Sequence, residues 1–174
     1  MKNKSLTLCG LFAAIIAVCS WITIPSAVPF TMQTFGIFSA LLILGGKYGT
    51  AAIAVYVFLG TVGLPVFAGF QGGIGVIFSP LGGYIVGFAA LALIYLLITK
   101  IFGDKLGFRI AGLSAGLIVC YLLGTIWYMI FAGETNFAAA LTICVLPFVI
   151  PDILKMVLAV MLANKIKSRI PSNS

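Results

Sequence analysis

The sequence reads as an all-α integral membrane protein of six transmembrane helices with cytoplasmic N- and C-termini. Three observations carry that reading. Of 174 residues, 63% are hydrophobic and 7% charged, with a mean hydropathy of +1.27, whereas a soluble domain carries about 25% charged residues. The apolar residues gather into long runs, and at about 20 residues per crossing the chain holds five or six spans with no soluble domain beside them, so 1–174 forms one polytopic unit. The basic residues fall between those runs, on one side of the membrane.

The first run, 6–24, follows Lys2 and Lys4. Its 19 residues exceed a signal-peptide core, and no A-x-A site precedes Ile24-Pro25, so it is expected to remain as the first helix. A stretch containing Pro25 and Pro29 spans 25–34. The runs 35–46 and 50–64 follow, divided by Gly45-Gly46-Lys47-Tyr48-Gly49. Both are short, and they form either two crossings or one broken crossing. A glycine-rich extracytoplasmic loop, 64–83, lies between the third and fourth spans and leads into 84–99. The run 110–132 is a long unbroken span, and 137–163 is cut by Pro147 and Pro151.

With six crossings and the N-terminus inside, the cytoplasmic face receives Lys2, Lys4, Lys47, Lys100, Lys105, Arg109, Lys165, Lys167 and Arg169, nine of the ten basic residues. The opposite face receives Glu134 alone among charged residues. This is the asymmetry of the positive-inside rule, and it accounts for the net charge of +7 through topology in the cell membrane, of the bacterial inner-membrane type. Nucleic acid is not an expected partner, because the basic residues do not share one face interleaved with aromatics.

The absences exclude most catalysis. Without His, and with only Asp104, Glu134 and Asp152 as acids, the chain lacks the parts for a His-carboxylate metal site, a Ser-His-Asp triad or a glycosidase pair. It is expected to be neither an enzyme nor a metal or cofactor binder. No GxxxxGK[ST] loop occurs, so any work against a gradient draws its energy from elsewhere. Cys9, Cys19, Cys120 and Cys144 lie in apolar runs without CxxC spacing and are expected to be small core hydrophobes.

Asp152 and Lys155 are the sharpest signal, because an ionisable group within a span costs about 2.5–3.5 kcal/mol at a helix centre. If Pro151 opens a helix, their i, i+3 spacing puts them on one face. They form either a structural ion pair or a polar site for a ligand from outside, assisted by free N–H groups of the helix N-terminus. The uncharged stretch 63–84 holds Phe67, Gly73, Ser79 and Tyr84 and forms either a flexible lid over a mostly apolar ligand or an interfacial loop with its aromatics at headgroup depth. Thr31, Gln33 and Thr34 add neutral polar groups on the same side, suited to a ligand or to helix capping. Small residues recur four apart at Ala13/Ala17, Gly45/Gly49, Gly83/Gly87 and Gly112/Gly116, the spacing of close helix packing. Trp21 and Trp127 are interface or ligand-stacking residues, roles that composition does not separate.

Several of these segments, in this order, resemble one family. PFTMQTF (29–35), GLPVFAGFQGGIG (63–75), PLGGY (80–84) with GF (87–88), and LPFVIPDILK (146–155) are similar to the BioY family, the biotin-specific substrate-binding components of energy-coupling factor (ECF) transporters. The resemblance covers nearly the whole chain. It implies a six-helix membrane protein that captures biotin from outside and works with a transmembrane coupling protein and two cytoplasmic ATPases, or, alternatively, a solitary biotin transporter without that module. It implies that Asp152 and Lys155 bind the polar groups of biotin, that 64–83 closes the pocket, and that Ala13 and Ala17 form the AxxxA element that meets the coupling protein. One departure stands out: Leu81 occupies a position where the family usually has Thr, which puts a hydroxyl role there in doubt.

Overall fold

The computed structural model describes residues 2–169, with side chains from Lys4 to Ser168. The ends of the expected unit 1–174, and the side chains of Lys2 and Arg169, lie outside the described residues. The architecture is helical: α1 Lys2–Trp21, α2 Gln33–Thr61, α3 Ile74–Ile77, α4 Gly82–Phe102, α5 Leu106–Ala132, α6 Phe137–Cys144 and α7 Leu146–Arg169. Among the described residues, five stretches are long and apolar enough to cross a membrane. Their outward faces are apolar while polar groups turn inward. On α7, Ile150 is 77% exposed and Asp152 is 2% exposed, the reverse of the pattern that water imposes.

The run expected as the first helix stops three residues early, at Trp21. Thr23–Ile24 (β1) instead pairs antiparallel with Phe30–Thr31 (β2), a small hairpin absent from the all-α expectation. Pro25 explains the stop, since the residue before a proline is pushed from helical to extended backbone.

One long stretch, α2, is two antiparallel arms, 33–44 and 46–61. Gly45 adopts φ 78° and ψ 170°, a conformation open to glycine at little cost. The Gln33 amide then donates to the Tyr56 hydroxyl at 2.7 Å, although a straight helix would hold residues 23 apart about 35 Å from each other. A Cβ on Gly49 would lie 2.8 Å from Leu41 Cα, so the arms meet backbone to backbone. The runs 35–46 and 50–64 are therefore a hairpin.

The small residues work in the same way elsewhere. On α4 and α5, a Cβ at Gly87 would meet Cys120 Sγ at 2.7 Å, one at Gly116 would meet Leu91 Cα at 2.9 Å, and one at Gly83 would meet Trp127 Cβ at 2.3 Å. Gly36 lets α2 approach Ile16 and Cys19 of α1, and this covers Ala13 and Ala17, which are 3% and 5% exposed. The pair that the resemblance assigns to a partner thus faces this chain's own α2. The exposed small residues of α1 are Gly10 and Ala14. All four cysteines are buried and free, as expected of core residues.

The two ends of the bundle differ in charge. At one end lie the Gly45 turn beside Lys47, the Gly103 turn between Lys100 and Lys105, and the last turns of α7 with Lys165 and Lys167. Gly46 packs against Leu96 and Thr99, bringing the first two of these turns together, and Asp104 pairs with Arg109 beside them. The site lies toward the opposite end.

Candidate functional site

A cavity opens among the β1–β2 hairpin, the start of α2, the segment 62–81, and helices α4, α5 and α7. Its walls are mostly apolar, from Val28, Ile85, Phe88, Leu117 and Phe148, and one corner is polar. Among the described residues lining it, Asp152 and Lys155 alone carry charge.

The charged pair sits on α7 one turn apart, with Lys155 Nζ 2.8 Å from Asp152 Oδ1. The expected helix start at Pro151 is corrected by the structure: α7 begins at Leu146 and carries Pro151 inside it. Val145, at φ −126° and ψ −55°, breaks the chain between α6 and α7, so Pro147 takes the first-turn position that proline tolerates. Of the first-turn groups of α7, Pro147 has no N–H, and the Phe148 and Val149 N–H groups donate to the Val145 carbonyl. The carboxylate is satisfied by side chains instead.

Asp152 Oδ1 accepts from the Thr34 hydroxyl at 2.8 Å and from Lys155, while Oδ2 accepts from the Tyr121 hydroxyl at 2.6 Å. Lys155 Nζ donates to the Thr31 carbonyl at 2.7 Å, to Asp152 Oδ1 at 2.8 Å and to Thr34 Oγ1 at 3.2 Å. The ammonium also sits 4.2 Å from the centre of the Phe30 ring, a favourable cation–π placement. Asp152 is 2% and Lys155 4% exposed, so each charge depends on these partners.

Five of the expected site residues line this cavity together: Asp152, Lys155, Gln33, Phe67 and Tyr84. Thr31 and Thr34 join them. Phe67 is buried at 2% with its ring edge-on to Tyr56, 5.7 Å between centres, and Tyr84 donates to the Cys144 carbonyl at 2.7 Å, next to the α6–α7 break. Gly73 and Ser79 do not line the cavity. Gly73, at φ 96°, turns the chain and donates to the Gly60 carbonyl at 2.7 Å, and the Ser79 hydroxyl closes a local turn onto the Val76 carbonyl. Leu81, at the departure from the family pattern, contributes apolar wall.

Tyr121 is the site residue that sequence reasoning missed. A tyrosine mid-way along the apolar run 110–132 was its only trace. The Thr31 carbonyl had none, because it is backbone. Trp21 and Trp127 take neither of the two expected roles alone: their indole N–H groups donate to the Pro65 and Ile77 carbonyls at 2.9 and 3.0 Å, tying down the glycine-rich segment.

The chain resembles known proteins along its whole length. It is 39% identical over 165 residues to the biotin transporter BioY of Thermotoga maritima, covering 94% of this chain and 96% of that protein. It is 40% identical over 170 residues to a probable biotin transporter BioY of Pyrococcus horikoshii, covering 96% and 98%. A crystal structure of the S-component for biotin from an ECF-type ABC transporter superposes with a TM-score of 0.86 at 28% identity, over 97% of this chain and 93% of that one. The BioY family model matches residues 1–172. With the family model matching residues 1–172 and the fold shared along nearly the whole length, the chain belongs to the BioY family.

Proposed function

We propose that this chain captures biotin and serves as the S component of an ECF-type ABC transporter, not as an enzyme. The observation that carries the reading is a buried, mutually neutralised Asp152–Lys155 pair facing a mostly apolar cavity, in a fold shared with a biotin S-component. A bicyclic ligand with ureido N–H groups suits such a chamber: its rings take the apolar wall and Asp152 accepts an N–H. The site residues are Asp152, Lys155, Gln33, Phe67 and Tyr84, with Tyr121 and Thr34 positioning the carboxylate. Gly73 and Ser79 act through the segment that covers the site.

The chain crosses the plasma membrane six times as one polytopic unit, with the basic end in the cytoplasm and the cavity outside. The two-armed α2 supports six crossings over five, and the clustering of Lys47, Lys100, Lys105, Lys165 and Lys167 at one end supports the orientation. The energy comes from a transmembrane coupling protein and two ATPases, a reading with which the lack of a P-loop in this chain agrees. The burial of Ala13 and Ala17 favours exposed Gly10 and Ala14 as the contact of α1 with the coupling protein, since a Cβ on Gly10 meets nothing within 4 Å and a partner helix has room to approach.

Isothermal titration of the detergent-solubilised protein with biotin, and with thiamine and riboflavin as controls, tests the ligand. Binding of biotin alone, one per chain, is expected. Folded protein that takes up none of the three overturns the reading. Uptake in cells with and without the ATPases then tests the module, and uptake that survives their loss overturns that part.

A further inference from the structure

Biotin has two recognisable ends, a neutral ureido bicycle and a carboxylate on a flexible tail. We infer that the cavity reads the neutral head and leaves the carboxylate at the mouth in water, so that the amides and esters of biotin bind about as well as the acid. This rests on the biotin reading above and specifies its substrate class.

Asp152 and Lys155 are the only charged residues among the described residues of the cavity wall, and at 2.8 Å they cancel, so the chamber is neutral. A carboxylate carried inside would leave it with a net negative charge beside Asp152, with no second cation to offset the lost hydration. The single cation present is also occupied. An ammonium has three N–H groups, and those of Lys155 are matched by three acceptors: the Thr31 carbonyl, Asp152 Oδ1 and Thr34 Oγ1. A ligand carboxylate can reach Nζ only by displacing one of them. Phe30, with its ring centre 4.2 Å from Nζ, crowds the same side.

Acceptor capacity, by contrast, is in surplus. An ionised carboxylate offers about four lone-pair positions, and Asp152 uses two on Oδ1 and one on Oδ2, leaving a vacancy on Oδ2. Gln33 spends one amide proton on Tyr56 and retains its carbonyl oxygen and its second N–H. The polar corner therefore matches N–H donors with a carbonyl, the pattern of a cyclic urea, and offers nothing further to an anion.

The test is competitive titration of the solubilised full chain with biotin, biotinamide and biotin methyl ester. The expected result is dissociation constants within about threefold of one another. Biotinamide and the ester binding ten times more weakly than biotin, or worse, overturns the inference while leaving biotin capture intact. If biotin itself fails to bind, the parent reading falls and this one with it. The same three ligands on Lys155→Met give an independent measure. All three weaken, but the ratio of biotinamide to biotin affinity stays within threefold of its original value. A tenfold move of that ratio toward the amide means that Lys155 reads the carboxylate, and overturns the proposal.

Discussion

Two segments cover the cavity, and they are held in opposite ways. The glycine-rich segment 62–81 has the composition of a flexible lid, with positive φ at Gly63, Gly69 and Gly73 and even at Phe70. Yet its carbonyls are claimed by three helices. Val66 accepts from Ser20 and Tyr56, Pro65 from Trp21, and Ile77 from Trp127. Phe67 plugs a notch that exists because residue 60 is glycine, where a Cβ would lie 2.1 Å from the ring. The 22–31 hairpin contains no glycine, but 24–27 are exposed. It is tied to the helices at Thr31, whose carbonyl accepts from Lys155 and whose hydroxyl accepts from the Gln33 N–H, and by the stacking of Phe30 on Phe148 and buried Val28. Glycine content thus measures conformational permission, whereas mobility depends on whether the freed backbone groups find donors. Ligand-linked motion is therefore expected of the hairpin, which Lys155 of the charged pair anchors at Thr31.

The largest effect expected is at that anchor. Asp152→Ala leaves the Lys155 ammonium buried without its partner, a loss of about 3–5 kcal/mol. Thermal unfolding in detergent should show the drop together with abolished biotin binding, and a variant of native stability would mean that the pair is solvated. On the other cover, Phe67→Ala removes a buried plug at a cost of about 3–5 kcal/mol. It should free the whole segment 62–81 to proteolysis, and unaltered proteolysis would break the contrast drawn above.

Tyr121→Phe deletes one charge-assisted hydrogen bond, about 1.5–3 kcal/mol, and should weaken biotin binding on the order of tenfold or more with the fold retained. Equal affinity in calorimetry would remove Tyr121 from the positioning of Asp152. Hydrogen exchange tests the comparison directly: biotin should slow the amides of 24–31 several-fold and change those of 64–78 little, and the reverse pattern would restore the glycine-rich segment as the lid. Trp127→Phe, which costs one neutral hydrogen bond of about 1 kcal/mol, should loosen 62–81 slightly and leave biotin affinity within about threefold.

Membrane class, the number of apolar runs and the Asp152–Lys155 pair follow from the chain alone, because hydrocarbon requires long apolar stretches and makes each buried charge conspicuous. The i, i+3 spacing was enough to place both groups on one face, and it did not depend on where α7 begins. The partners were a different matter. Tyr121 lies 31 residues from Asp152 in sequence, and Thr34 lies 118 residues away. Only the packing of α2 and α5 against α7 brings their hydroxyls to the carboxylate. The spacing of small residues was visible, but not which side each would face: Ala13 and Ala17 turned inward because Gly36 admits α2 to that side of α1. Periodicity reports that a helix has faces, whereas the tertiary fold decides what each face meets. For a membrane protein that division is sharp, since lipid and a neighbouring helix are equally apolar and hydropathy does not tell them apart.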